Sequence, residues 1–216
     1  MYDSWQPSLF GSVAVDVPSV DPSFHGLERI QLDADSWIDL VPGWLRGADD
    51  VCASAIERLP WIEREVVMWD RQVPEPRLTW WWNTDQPDPE PLPVFTEIRR
   101  ALTAHYGIDF DSTGCNWYRN GRDSVAWHGD RVRHLVQPIV AIVSVGSPRP
   151  FLVRPRGGGS SIRFVPAHGD LLVMGGRCQH DWEHCVPKVA SSGPRVSIMA
   201  RHRCEFTAAG VRPPSG

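Results

Sequence analysis

The sequence predicts a mainly β fold with bracing helices (α+β), its strands wound into a jelly roll, or double-stranded β-helix. Three observations lead there. Eight short strand-like segments fill the chain after residue 107, near 114–119, 124–130, 134–146, 150–155, 161–166, 170–174, 182–186 and 194–203. Turn signals separate them, including Asn120-Gly121, Gly157-Gly158-Gly159 and His168-Gly169. Helical spacing is confined to two stretches, both earlier in the chain. Many short strands with turns between them close best as two packed sheets.

Taken in order, residues 1–45 are rich in Pro, Asp, Ser and Gly with scattered apolar anchors. They read as an irregular arm wrapped on the domain. Asp49 or Asp50 can cap a helix running to Leu59, with Val51, Ala55, Ile56 and Leu59 on one side, and Pro60 ends it. Segments 65–70 and 78–82 have strand character, with Q-V-P-E-P-R between them as a loop. The four prolines from Pro87 to Pro93 exclude regular structure there. Phe95, Ile98 and Leu102 recur at helical spacing over 94–106, and Gly107 supplies the stop. Strands from 114 to 203 form the jelly-roll core, and Pro213 to Gly216 frays. One domain spans 1–216, long enough to bury a single core.

No apolar run approaches the ~20 residues that a membrane span requires. Met1 to Phe10 lacks the basic start and apolar centre of a signal peptide. Cys52, Cys115, Cys178, Cys185 and Cys204 are odd in number and irregularly spaced. Reduced thiols in a cytoplasmic protein are the expectation. The net charge of -4 hides an asymmetry: residues 1–98 carry 6 Lys+Arg against 18 Asp+Glu, and the remainder 16 against 8. All the basic residues but Lys188 are arginine, the better residue for forked contacts to carboxylate and phosphate. A polyanion or an acidic small molecule can approach the basic half, although a solvated surface also explains the charge.

That basic half holds the run N-W-Y-R-N-G-R-D-S-V-A-W-H-G-D, from Asn116 to Asp130. Residues two apart on a strand share a face, so His128 and Asp130 can reach one point. Two imidazoles and one carboxylate form the facial triad that holds Fe(II) with open positions. His184, in Q-H-D-W-E-H-C-V-P, is the third ligand expected, carried back to the site after a turn at Gly175-Gly176. A rival lies in the same segment. His180 and His184 are four apart and flanked by Cys178 and Cys185, a set that can close a zinc site. Pro187 and the short segment speak against the helix that such a site needs.

Arg195 and Arg201 are six apart in P-R-V-S-I-M-A-R, an even spacing that puts both on one strand face. Two inward arginines are costly unless anions meet them. Six strand residues span about 20 Å, longer than a small diacid, so one side chain must reach along the strand or the strand must bulge. Asn116 and Tyr118 share a face of the preceding strand and can hold carboxylate oxygens. Ordinary core hydrogen bonding is their plain alternative.

In this order, N-x-Y, H-x-D, G-D-L-L-V-M-G-G, Q-x-x-W-x-H-x-V-P and R-x-S-x-x-x-R resemble the AlkB family of Fe(II)/2-oxoglutarate-dependent dioxygenases, over Asn116 to Arg203. Leu9-Phe10-Gly11 resembles the start of bacterial members. The resemblance implies iron on His128, Asp130 and His184, with O2 and 2-oxoglutarate as co-substrates. Arg195 and Tyr118 would meet the distal carboxylate, Arg201 and Asn116 the carboxylate near iron. It implies hydroxylation of an alkyl group on a flipped-out nucleobase, the hydroxylated carbon leaving as an aldehyde. Residues 66–93 fall where relatives build a lid over the base, so Trp80, Trp81 and Trp82 become stacking candidates. Arg131, Arg133, Arg154 and Arg156 become candidates for phosphate.

Two departures stand out. Val132 occupies a position where many repair members place an acidic residue toward the base, and Ser197 one where some place Asn. The expectation is a monomer that repairs alkylated DNA bearing N1-methyladenine or N3-methylcytosine, with RNA as a further substrate and no membrane or obligate protein partner. The alternatives are the same chemistry on RNA, a protein side chain or a metabolite, and a non-catalytic jelly-roll binding module.

Overall fold

A computed structural model of the chain describes residues 17–68, 71–130 and 135–203. Short strands β1 (Ser19–Val20), β2 (Glu28–Gln31), β3 (Ser36–Val41) and β4 (Leu45–Arg46) precede helix α1 (Ala48–Arg58). The hairpin β5 (Ile62–Met68) and β6 (Arg71–Asn83) leads to α2 (Pro93–Tyr106). Strands β7 (Ser112–Tyr118), β8 (Val125–His128), β9 (Val140–Gly146), β10 (Phe151–Pro155), β11 (Ile162–Phe164) and β12 (Leu171–Gly176) follow. The helical turn α3 (Cys178–Asp181) reverses the chain into β13 (Trp182–Val186), and β14 (Arg195–Arg201) comes last.

The strands make an eight-stranded sheet in the order β2-β3-β12-β9-β14-β7-β6-β5 and a four-stranded sheet in the order β11-β10-β13-β8, while β1 and β4 pair apart. Period-two alternation decides what lies on each face. On β9, Ala141, Val143 and Val145 join the helix-side core with Phe95, Ile98 and Leu102 of α2, whereas Val140 and Ile142 join the core between the sheets. On β14, Val196, Ile198 and Ala200 face the helices, which leaves Arg195, Ser197, Met199 and Arg201 for the inner face. The expected two-sheet architecture with helices bracing the larger sheet is what forms.

Both helices fall where expected, with Gly107 ending α2 in the left-handed region at φ 69°. Asp49 and Asp50 lie in the first turn of α1, near the positive end of its dipole, and Gly47 takes the capping position. The cap expected of Asp49 or Asp50 does not form, and the strand expected near 134–146 starts at Val140. Two larger expectations also need correction. Within the supposed irregular arm of 1–45, β2 and β3 extend the large sheet, and β3 pairs with β12 along its whole length. Asp39 hid this strand, because aspartate is rare in sheets. Its buried carboxylate accepts from Arg29 Nε and Nη2 at 2.6 and 2.7 Å and from the Tyr106 hydroxyl at 2.9 Å. Asp39→Ala leaves the partly buried Tyr106 hydroxyl unpaired and is expected to cost about 2 kcal/mol in urea melts.

The second correction concerns Q-V-P-E-P-R, which lies within β6 rather than in a loop. Its prolines are tolerated because β5–β6 is the sheet edge and its register shifts between Glu63 and Glu65, with Pro74 opposite Glu65.

Candidate metal centre

The pairing of β8 with β13 sets His128 directly opposite His184, with ring centroids 4.3 Å apart. Asp130, just past the end of β8, completes a group whose ligand atoms all lie within 4.8 Å of one another. These three distant residues can therefore hold one cation. His128 Nδ1 donates to the Ala126 carbonyl at 2.8 Å, which leaves Nε2 as the lone-pair nitrogen. His184 is buried and stacked on Phe151 at 5.1 Å. Burial, with help from His128, lowers its pKa to about 3, so its ring is a neutral donor.

Burial alone would raise the Asp130 pKa, but Arg201, His184 and His128 outweigh it and hold the carboxyl below its ordinary value. Arg201 Nη2 donates to Asp130 Oδ1 at 2.6 Å. From α3, Gln179 accepts from the Asp130 backbone N–H at 2.8 Å and donates to Met174 Sδ at 3.5 Å. Gln179 is fully buried and fixes the turn that carries the acidic ligand. In the sequence it was only one letter of a motif; nothing there gave its partner.

The other arginine marks the far end of the same inner face. Arg195 is buried and donates through Nη2 to Ser144 Oγ at 2.8 Å, while its Nε and Nη1 have no partner in the protein. No ion pair to it forms among the described residues. Burial pulls its pKa down to about 10. Tyr118 sits opposite it on β7, with the guanidinium 5.4 Å from the ring centroid. A carboxylate would answer two idle buried N–H donors, so this pocket fits one end of a dicarboxylate. Asn116 Nδ2 and Arg201 Nη2 both contact Met199 Sδ, at 3.6 and 3.4 Å, at the end nearer the metal ligands. β14 pairs at every residue from Arg195 to Arg201 with both neighbours, so the bulge considered from spacing does not occur.

Arg149, which sequence reading passed over, is also fully buried. It donates to the carbonyls of Asn120, Asp123 and Pro187 at 2.7–3.0 Å and lies 5.8 Å from the Tyr118 ring. It ties the loop before β8 to the end of β13. Its signal in S-P-R-P was too slight to find.

The three tryptophans separate. Trp80 packs on Phe95 at 5.8 Å, and Trp82 donates to the Asp88 carbonyl at 2.8 Å beneath Arg99. Both belong to the helix-side core, which corrects their assignment as base-stacking residues; Trp80 keeps only an edge on a groove described below. Trp81 faces the inner side, its ring 5.2 Å from the Arg201 guanidinium. Arg131 and Arg133, like Val132, lie outside the described residues. Arg154 pairs with Glu183 at 2.6 Å and covers Trp127, and Arg156 is committed to the carbonyls of Gln179, His180 and Trp182.

The zinc alternative fails on geometry. His180 Nε2 donates to the Leu135 carbonyl at 2.7 Å, and Cys185, next to His184 on a strand, faces the other way.

Residues 57–208 match the family model described as 2OG-Fe(II) oxygenase superfamily. The chain is 34% identical to alpha-ketoglutarate-dependent dioxygenase alkB homolog 3 of Mus musculus, over 91% of this chain and 76% of that protein. It is 27% identical to DNA oxidative demethylase ALKBH2 of Arabidopsis thaliana, over 67% of this chain and 59% of that protein. The solved structure of OsALKBH1 shares the fold at a TM-score of 0.58 and 13% identity, covering 81% of this chain and all of that one. With its triad, its waiting arginine and these relatives together, the chain belongs to the AlkB family of Fe(II)/2-oxoglutarate-dependent dioxygenases.

Proposed function

We propose that this enzyme removes alkyl groups from nucleobases, N1-methyladenine and N3-methylcytosine in DNA first, with RNA as a further substrate. The observation that carries this reading is the shared inner face of β7 and β14. At one end Arg201 of this face bonds Asp130 of the metal triad carried by β8 and β13, and at the other lies an unanswered buried arginine, in a chain resembling relatives named for DNA demethylation. When bound, iron couples decarboxylation of 2-oxoglutarate to succinate with insertion of oxygen into an alkyl C–H bond. His128, Asp130 and His184 hold the metal. Arg195 and Tyr118 orient the distal carboxylate, and Asn116 and Arg201 receive the carboxylate near the metal. The hydroxymethyl group on nitrogen then breaks its C–N bond, releasing formaldehyde and returning the proton to the base.

A target base must leave its stack to reach so enclosed a centre. A groove of about 440 Å³, lined by Pro60, Trp61, Ile62, Arg64, Thr79, Trp80 and Trp81, runs from Trp81 to the β5 edge. Its indoles and one guanidinium suit a nucleic-acid strand. Action as a monomer in the cytoplasm belongs to the same proposal; the free thiols of Cys52, Cys115, Cys178 and Cys185 support a reducing compartment.

Succinate release with iron and ascorbate tests the proposal. Methylated single-stranded DNA is expected to stimulate release well above unmethylated DNA, with formaldehyde formed in equal amount. Release that ignores every nucleic acid, DNA and RNA alike, would move the substrate to a protein or a metabolite.

A further inference from the structure

We infer that Trp81 is a positioning residue: seated in the hollow left by Gly114, its ring holds the Arg201 guanidinium ready for the co-substrate carboxylate. The inference rests on the reading of Arg201 given above and adds a residue that acts through it. Arg201 is fastened at a single nitrogen. Nη2 serves both Asp130 Oδ1 and Met199 Sδ, and the buried Nε has no partner in the protein. A guanidinium held at one corner can swing, and a directed hydrogen bond to a carboxylate requires that it not swing. The Trp81 ring, 5.2 Å away at its centroid, restrains the cation without consuming a donor. That leaves Nε and Nη1 for an incoming anion.

Gly114 is what admits the ring. A Cβ on residue 114 would come within 2.5 Å of Trp81 Cε3 and Cζ3, and 3.4 Å from Met199 Cε. Any other residue on this β7 position would drive the indole off its seat. The contact with Arg201 also gives Trp81 a role that stacking on a base does not require.

The test is calorimetric titration of 2-oxoglutarate into anaerobic Fe(II)-loaded protein. Trp81→Ala is expected to weaken binding about tenfold, the scale of a desolvated cation–π contact plus lost restraint, with Fe(II) affinity unchanged. Trp81→Phe restores most of the loss. Gly114→Ala weakens binding like Trp81→Ala, and adds nothing when Trp81 is already alanine, because the clash has gone. Thermal melts confirm folding, and if Trp81→Ala does not fold, Trp81→Phe and Gly114→Ala still decide. Unchanged 2-oxoglutarate affinity overturns the inference, as does an equal loss of Fe(II) affinity. A loss confined to oligonucleotide binding overturns it too and returns Trp81 to the substrate. Arg201→Ala separates the two levels. If it leaves 2-oxoglutarate binding intact, the reading of Arg201 itself falls; if it weakens binding while Trp81→Ala does not, only the role of Trp81 falls.

Discussion

His128→Ala is expected to abolish turnover while leaving the fold intact. Loss of merely the groups that orient metal ligands costs about 10–100-fold in metal affinity or activity, and loss of a ligand should exceed that. His128 is the right ligand to remove because it is half-buried at the end of a strand, whereas His184 is buried against Phe151 and its removal would also open a cavity. Asp130 keeps its bond to Arg201 and its backbone bond to Gln179, so the remaining half of the centre stays in place. Circular dichroism and the melting temperature should match the unaltered protein, and Fe(II) titration should show the affinity lost. Retained succinate production would remove His128 from the centre.

The strands after residue 107 were legible because each has a buried face set off by turn residues, and period-two spacing then told which side chains point inward. That argument puts Arg195 and Arg201 on one face of β14; His128 and Asp130 do converge, but Asp130 lies past the end of β8 and is placed by the turn that Gln179 holds, not by strand alternation. It failed where a polar residue is buried by a partner remote in sequence. Asp39 looked like loop because Arg29 and Tyr106, which satisfy it, come from β2 and α2. Arg149 and Gln179 escaped for the same reason: their work is to bond backbone groups, and backbone groups leave no trace in composition. The tryptophans give a middle case. Period-two alternation separates Trp81 from Trp80 and Trp82, but which side faces the metal depends on where α2 packs.

Arg195 makes the strongest contrast between stability and function. A buried guanidinium with two idle donors and no counter-ion is a burden on the protein without co-substrate, and burial already drags its pKa down to about 10. Arg195→Met keeps much of the volume and removes the charge. The variant without ligand is therefore expected to melt at the same temperature as the parent or higher. Its affinity for 2-oxoglutarate should fall by about two orders of magnitude, since a buried carboxylate loses a charged, forked partner. The two effects have opposite signs, which a general loss of structure cannot produce. Added 2-oxoglutarate should raise the melting temperature of the metal-loaded parent by mass action and leave the variant unmoved. A parent-like ligand-induced shift in Arg195→Met would show that the dicarboxylate is anchored elsewhere, and a large drop in the ligand-free melting temperature would show that Arg195 serves the fold.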